Sequence, residues 1–189
     1  MKRFENYESV TPASEYETLP AGAYVCDITG VTDYPDKEYL KIEYDVSEGD
    51  FRGYFTRRYE ATGRSYFAGN TLKSYSEKGI RFFKAFTDAI QASNPGYFWN
   101  WVEQSLVGKR VGFVIGEEEY KNQSGEIRTR YVVTKVIPID DVRQGKFTVP
   151  TLKKLSDGSG SVKSNVVAPG TSLAPSKNLE QVTSDDLPF

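Results

Sequence analysis

Apolar residues recur along the chain first at strand spacing, then at helical spacing, then at strand spacing again. After the breaker Pro20-Ala21-Gly22, the run Tyr24-Val25-Cys26-Asp27-Ile28 predicts a strand over 23–32, and Asp33-Tyr34-Pro35-Asp36 reads as the turn that ends it. From Glu38 to Val46 the pattern alternates, with Leu40, Ile42, Tyr44 and Val46 on one face and Tyr39, Lys41, Glu43 and Asp45 on the other. Strict alternation marks a strand with one face in a core and one in solvent, so Tyr39 and Lys41 are expected to point outward. Ser47-Glu48-Gly49-Asp50 then reads as a hairpin turn into a third strand over 51–59. There Phe51, Gly53 and Phe55 take the inner face and Arg52, Tyr54, Thr56 and Arg58 the outer.

The period changes near residue 74. Ser74-Tyr75-Ser76-Glu77 has the form of a capping box, and Ile80, Phe83, Phe86 and Ile90 follow at near-helical spacing. Asn94-Pro95-Gly96 ends this helix, because proline disfavours a helical residue before it and glycine accepts the left-handed turn. Trp99 and Trp101 come next and read as packing against the domain. Two further strands, over 110–116 and 127–139, flank a polar loop over 117–126. Three strands, a helix and two strands is the element order of the OB-fold. The expected fold class is therefore mainly β with one or two helices: a five-stranded OB-fold-like Greek-key barrel with a disordered C-terminal tail. Its generic binding surface would use the second and third strands and the loops at 32–37 and 117–126. The expected layout is a polar lead-in over 1–20, the barrel domain over 21–152, and a flexible linker with a docking tip over 153–189. The tail expectation rests on composition: from about Ser156 the chain is rich in Ser, Gly, Asn and Pro, and its only aromatic is Phe189, so it has little apolar surface to offset the entropy of ordering.

Composition narrows the chemistry. The chain has 189 residues, no histidine and one cysteine, Cys26, so neither a disulfide framework nor a zinc site of the usual nitrogen and sulfur ligands can be assembled. Without histidine no familiar nucleophile–base pair forms. Gly108-Lys109 and Gly145-Lys146 each lack the upstream glycine of a phosphate-cradling loop. Glu117-Glu118-Glu119 reads as a solvated loop in preference to a metal-binding nuclease cluster. No cofactor, no metal and no enzymatic activity are expected. No apolar run is long enough to span a bilayer and the lone thiol fits a reducing compartment, so a cytoplasmic protein without a membrane partner is expected.

The net charge is −2, but its distribution is uneven: residues 52–84 carry eight basic and only two acidic side chains. Holding a single strand without sequence preference needs cations for phosphates and flat rings for unstacked bases. Tyr39, Lys41, Arg52, Tyr54, Arg57, Arg58, Tyr59, Arg64, Tyr66, Phe67 and Lys73 supply both, and Arg128 and Arg130 extend the set on the last strand. These are the candidate single-stranded DNA contacts.

The chain closes with Ser184-Asp185-Asp186-Leu187-Pro188-Phe189. This tip resembles that of bacterial-type single-stranded DNA-binding proteins, whose usual ending is Asp-Asp-Asp-Ile-Pro-Phe, with Ser184 in place of the first Asp and Leu187 in place of Ile. Lys78-Gly79-Ile80-Arg81-Phe82-Phe83, Ser93-Asn94-Pro95-Gly96-Tyr97 and Gly108-Lys109-Arg110-Val111-Gly112 resemble stretches of the single-stranded DNA-binding proteins encoded by bacteriophages of Gram-positive hosts. The resemblance implies a protein that coats exposed strands during DNA replication and recombination in the cytoplasm of an infected host. It also implies that Asp185, Asp186, Leu187, Pro188 and Phe189 recruit replication or recombination proteins. Family members self-associate in different ways, so a homo-oligomer is compatible with it. The rival expectation is an OB-like adaptor that assembles such a complex without touching DNA.

Overall fold

A computed structural model of the chain describes residues 3, 5, 7–9, 18–63 and 66–155. The chain divides into two units, 1–155 and 156–189; the expected linker from 156 onward and the expected docking tip fall in the second and lie outside the described residues, as does Arg64.

The first alternating runs become β1 (Gly22–Tyr34) and β2 (Tyr39–Val46), and β3 (Asn70–Ser74), β4 (Arg110–Lys121) and β5 (Ile127–Ile137) complete the strands. They form one antiparallel five-stranded sheet in the order β3-β2-β1-β4-β5. Three helices accompany it: α1 (Tyr54–Thr62), α2 (Ile80–Ser93) and α3 (Ile139–Arg143). The protein is thus mainly β, with the β1-β2-β3 meander, a helix between β3 and β4, and β4 returning to pair with β1. This is consistent with an OB-like fold, but the sheet is not closed, because β3 and β5 remain its two edges. In place of the expected closed barrel the sheet is open.

The largest departure from expectation is at 51–59, where a helix replaces the third strand and leaves 70–74 to pair with β2. Tyr54, Phe55, Arg58, Tyr59 and Thr62 recur at helical spacing as well as at strand spacing, and tertiary context decides between the two. Gly53 takes φ +69°, a left-handed turn that suits glycine and redirects the chain from the sheet into α1. The capping box also fails: Ser74 ends β3, and α2 starts at Ile80 after Gly79 with no side-chain cap. The Ser74 hydroxyl instead accepts from the Ser76 amide at 3.3 Å and donates to the Glu38 carbonyl. The loop expected at 117–126 shrinks, since β4 runs to Lys121 and Glu117–Glu119 are strand residues.

The core forms where the inner faces of the sheet meet α1 and α2. Ile28, Ile42, Tyr44, Phe55, Phe86, Ile90, Phe113 and Ile115 are buried together. Burying such a side chain fully is worth about 1.5–3 kcal/mol, and this shared cluster holds both helices on the sheet. Gly69 marks the tightest approach: a Cβ there would lie 2.3 Å from the Tyr44 carbonyl oxygen. Only a residue without a side chain lets the segment after α1 press against β2. Leu19, in the lead-in, is also fully buried.

Candidate nucleic-acid interface

The site is organised by one carboxylate. Asp45 on β2 is buried, and its Oδ1 accepts from the Val46 and Phe55 amides at 2.8 and 2.9 Å while Oδ2 accepts from the Thr56 amide at 2.9 Å. Gly53, the residue before α1, has no side chain with which to cap it. Asp45 therefore serves the first free N–H groups of α1 from a neighbouring strand and places a negative charge at the positive end of the helix.

So held, α1 buries Tyr54 and Phe55 and turns Thr56, Arg57, Tyr59 and Glu60 outward. The Phe55 ring meets Tyr44, Phe67 and Tyr131 edge-on, with centroids 5.4, 6.4 and 6.0 Å away. The Tyr54 and Tyr131 hydroxyls lie 3.1 Å apart, and both accept from the Leu19 amide. Arg58 donates to the Tyr54 hydroxyl and reaches that of Tyr131 at 3.5 Å, with its guanidinium 5.8 Å from both ring centroids. Burial opposes the charge on Arg58, but these phenol oxygens hold its value above that of an ordinary guanidinium. Burial, reinforced by the bond to Tyr54, pushes the Tyr131 phenol well up, so Tyr131 stays a neutral acceptor at physiological pH.

Outside this network stand the exposed groups. Tyr59 is 41 % exposed with its ring 6.0 Å from that of Phe67, and Tyr66 is 54 % exposed. Arg57 donates to the Arg52 carbonyl, and Arg52, Arg57 and Arg58 make no ion pair among the described residues. Across the way, Arg128 is held above the ordinary guanidinium value first by its hydrogen bond to Glu126 and in lesser part by Tyr120 and Tyr66. The segment after α1 thus comes close to β5. Arg130 lies 5.2 Å from the Tyr120 ring and 2.7 Å from Glu118. Alternation puts Tyr131 on the inner face of β5 and Arg128 and Arg130 on the outer, so these two cations share one face of this edge strand. The Arg128–Glu126 pair is solvent-exposed and can be exchanged for a phosphate contact, whereas Glu118 is mostly covered and holds Arg130 more firmly.

The structure therefore groups Arg52, Arg57, Arg58, Tyr59 and Phe67 at α1 and its flanks, with Tyr66 following, and places Arg128 and Arg130 on the outer face of the β5 edge strand. Four expected contacts are corrected. Tyr39 is buried, against the outward expectation, its ring 5.0 Å from that of Tyr34. Tyr54 is buried because its segment is a helix whose inner side it occupies, so it supports Arg58 and offers no open ring. Lys41 does not lie beside Arg52 and Tyr54: its neighbour across the strands is Leu72, and its ammonium is bound to Glu43 at 3.0 Å. Lys73 pairs across from buried Leu40 and places its ammonium 5.8 Å from the Phe86 ring, on the side covered by α2. Burial lowers its value to about 8. Tyr120 and Tyr131 were missed: Tyr120 fell in the segment read as a loop, while Tyr131, next to Arg130 on the last strand, was a usable signal. Trp101, expected to pack, is 71 % exposed, whereas Trp99 does pack against the core.

Glu118 is committed to Arg130 and Lys153, and no group of acidic, cysteine or histidine side chains suited to a metal ion occurs among the described residues. No helix among them is long and apolar enough to cross a membrane. No protein-family model matches the chain, and no curated protein matches it.

Proposed function

We propose that the protein binds single-stranded DNA without sequence preference, along α1, the 66–67 segment and the β5 edge, and that it recruits replication or recombination proteins through Asp185–Phe189. The observation that carries this reading is the grouping of exposed Tyr59 and Tyr66, half-buried Phe67 and the guanidiniums of Arg52, Arg57 and Arg58, which have no carboxylate partner among the described residues, on one helix and its flanks. Such rings accept any base by stacking, at about 1–3 kcal/mol each, and the guanidiniums meet the phosphates that join them. A single strand can present bases and phosphates to such a surface together, whereas a duplex keeps its bases stacked inside.

Oligonucleotides of several lengths, titrated while tyrosine and tryptophan fluorescence is followed, test this. Quenching by single strands at low salt, weakening as salt rises through counterion release, is the expected outcome. Equal affinity for duplex, or no binding at low salt, overturns it and leaves an adaptor that works through protein contacts alone.

A further inference from the structure

Away from α1, the chain leaving α2 builds a second concavity. Leu40 of β2, Phe83 of α2, Tyr75, Trp99 and Trp101 line a cavity of about 240 Å³ together with the carboxylates of Asp33 and Glu103. Leu40 and Phe83 are each 3 % exposed and form its inner part, while Trp101 stands at its mouth. The Phe83 ring lies 5.8 Å from Trp99 and 6.3 Å from Trp101, the latter nearly parallel at 24°. Trp101 has φ +62°, a left-handed conformation that is an outlier for so bulky a residue.

The charge at this cavity is one-sided. Asp33 accepts a hydrogen bond from the Tyr75 hydroxyl at 2.8 Å, and neither Asp33 nor Glu103 makes an ion pair among the described residues. The Tyr75 phenol is pushed up to about 12, by burial first, then by Asp33, with Glu38 and Asp36 adding to it. Two carboxylates thus line an aromatic cavity whose lining includes no cationic side chain. Ring faces and carboxylates both attract an organic cation, and both repel a phosphate. A planar guanidinium suits the site better than a compact ammonium, because it stacks on indole and offers a fork of donors to the carboxylates.

We propose that this cavity is a docking site for an arginine side chain presented by a partner protein. It is smaller than the roughly 300–1,000 Å³ of pockets for drug-sized ligands, so a single side chain is a better match than a nucleotide. The chain's own tip, with Asp185 and Asp186, carries the wrong charge to occupy it. The site stands independently of the DNA reading, on other residues and with the opposite charge preference.

Titrating the full chain with acetyl-Gly-Arg-Gly-amide while following the two indole N–H signals by NMR tests the proposal. Shifts at both Trp99 and Trp101 that saturate in the millimolar range are expected. The peptide with citrulline in place of arginine should bind at least tenfold more weakly, as should the arginine peptide to D33N/E103Q. The Glu103 side chain makes no hydrogen bond or ion pair among the described residues, so E103Q alone serves if the double variant unfolds, with at least a threefold loss expected. Equal shifts with the citrulline peptide, or unchanged affinity in the variant, overturn the proposal. Saturating shifts of the same indoles by oligothymidylate, with none from the arginine peptide, would make the cavity a nucleobase site instead.

Discussion

Three backbone N–H groups, from Val46, Phe55 and Thr56, converge on the buried carboxylate of Asp45. Removing it strands these donors in a low-dielectric interior and leaves the start of α1 uncapped. Asp45→Ala is expected to cost about 3 kcal/mol, read as a lower urea midpoint at unchanged slope, with Asp45→Asn in between. Lys73 carries a strain of another kind, since its value falls from 10.5 to about 8 in the folded protein. Between those values the unfolded chain holds a proton that the folded one has released, so Lys73 contributes stability that rises with pH across that window. Cys26, whose thiol is pushed well up by burial, acts in the opposite sense above about pH 9, so the comparison must be made against a variant. The stability of wild type relative to Lys73→Met should rise from pH 8 to 10.5, with the variant ahead at pH 7 by at most about 3 kcal/mol. A difference that stays flat would show the ammonium to be solvated.

At the scale of elements, α1 has a scaffold side and a contact side. Tyr54 and Phe55 fasten it to β2 and β5, which frees Arg57 and Tyr59 on the opposite side. Tyr59→Ala is accordingly expected to weaken single-strand binding by about 1–3 kcal/mol with little change in stability. Arg57→Gln should lower the slope of log affinity against log salt by about one, as the loss of one phosphate contact demands. Tyr39→Phe should leave binding unchanged, because its ring is buried away from this surface. Oligonucleotide titrations at three salt concentrations check all three, and an effect of Tyr39→Phe equal to that of Tyr59→Ala would move the interface back to β2. Of the two edge strands, β3 has only five residues and packs against α2, whereas β5 has eleven and meets α1 through Tyr131.

At the scale of the whole molecule, the proposed division of labour separates strand binding in 1–155 from recruitment by the tip. Deleting Leu187–Phe189 is expected to leave oligonucleotide affinity within about twofold at moderate salt, less than 0.5 kcal/mol. The same deletion should abolish binding to a purified replication or recombination partner, and the reverse pattern would refute the assignment. The strands β1, β2, β4 and β5 and the helix α2 were legible in the sequence from apolar runs, alternation in 39–46, helical spacing in 80–90 and the Asn94-Pro95-Gly96 stop, although the start of α2 and the end of β4 were not. The inner face of β2 was equally legible as Leu40, Ile42, Tyr44 and Val46. What the local pattern could not decide was the course of 51–59, whose rings fit both periods. That course was settled by Asp45 and Gly69, one capping a helix from the neighbouring strand and the other letting the returning chain lie close. With that choice the site moved as well: Tyr39 and Tyr54 went inside, Tyr59 came out on α1, and Arg128 and Arg130 took the outer face of the β5 edge strand. Sequence alone determined which residue types were available and where most elements lie, since both depend on neighbours along the chain. Only the tertiary structure decided which rings and cations share a surface, because that depends on buried contacts between residues far apart in sequence.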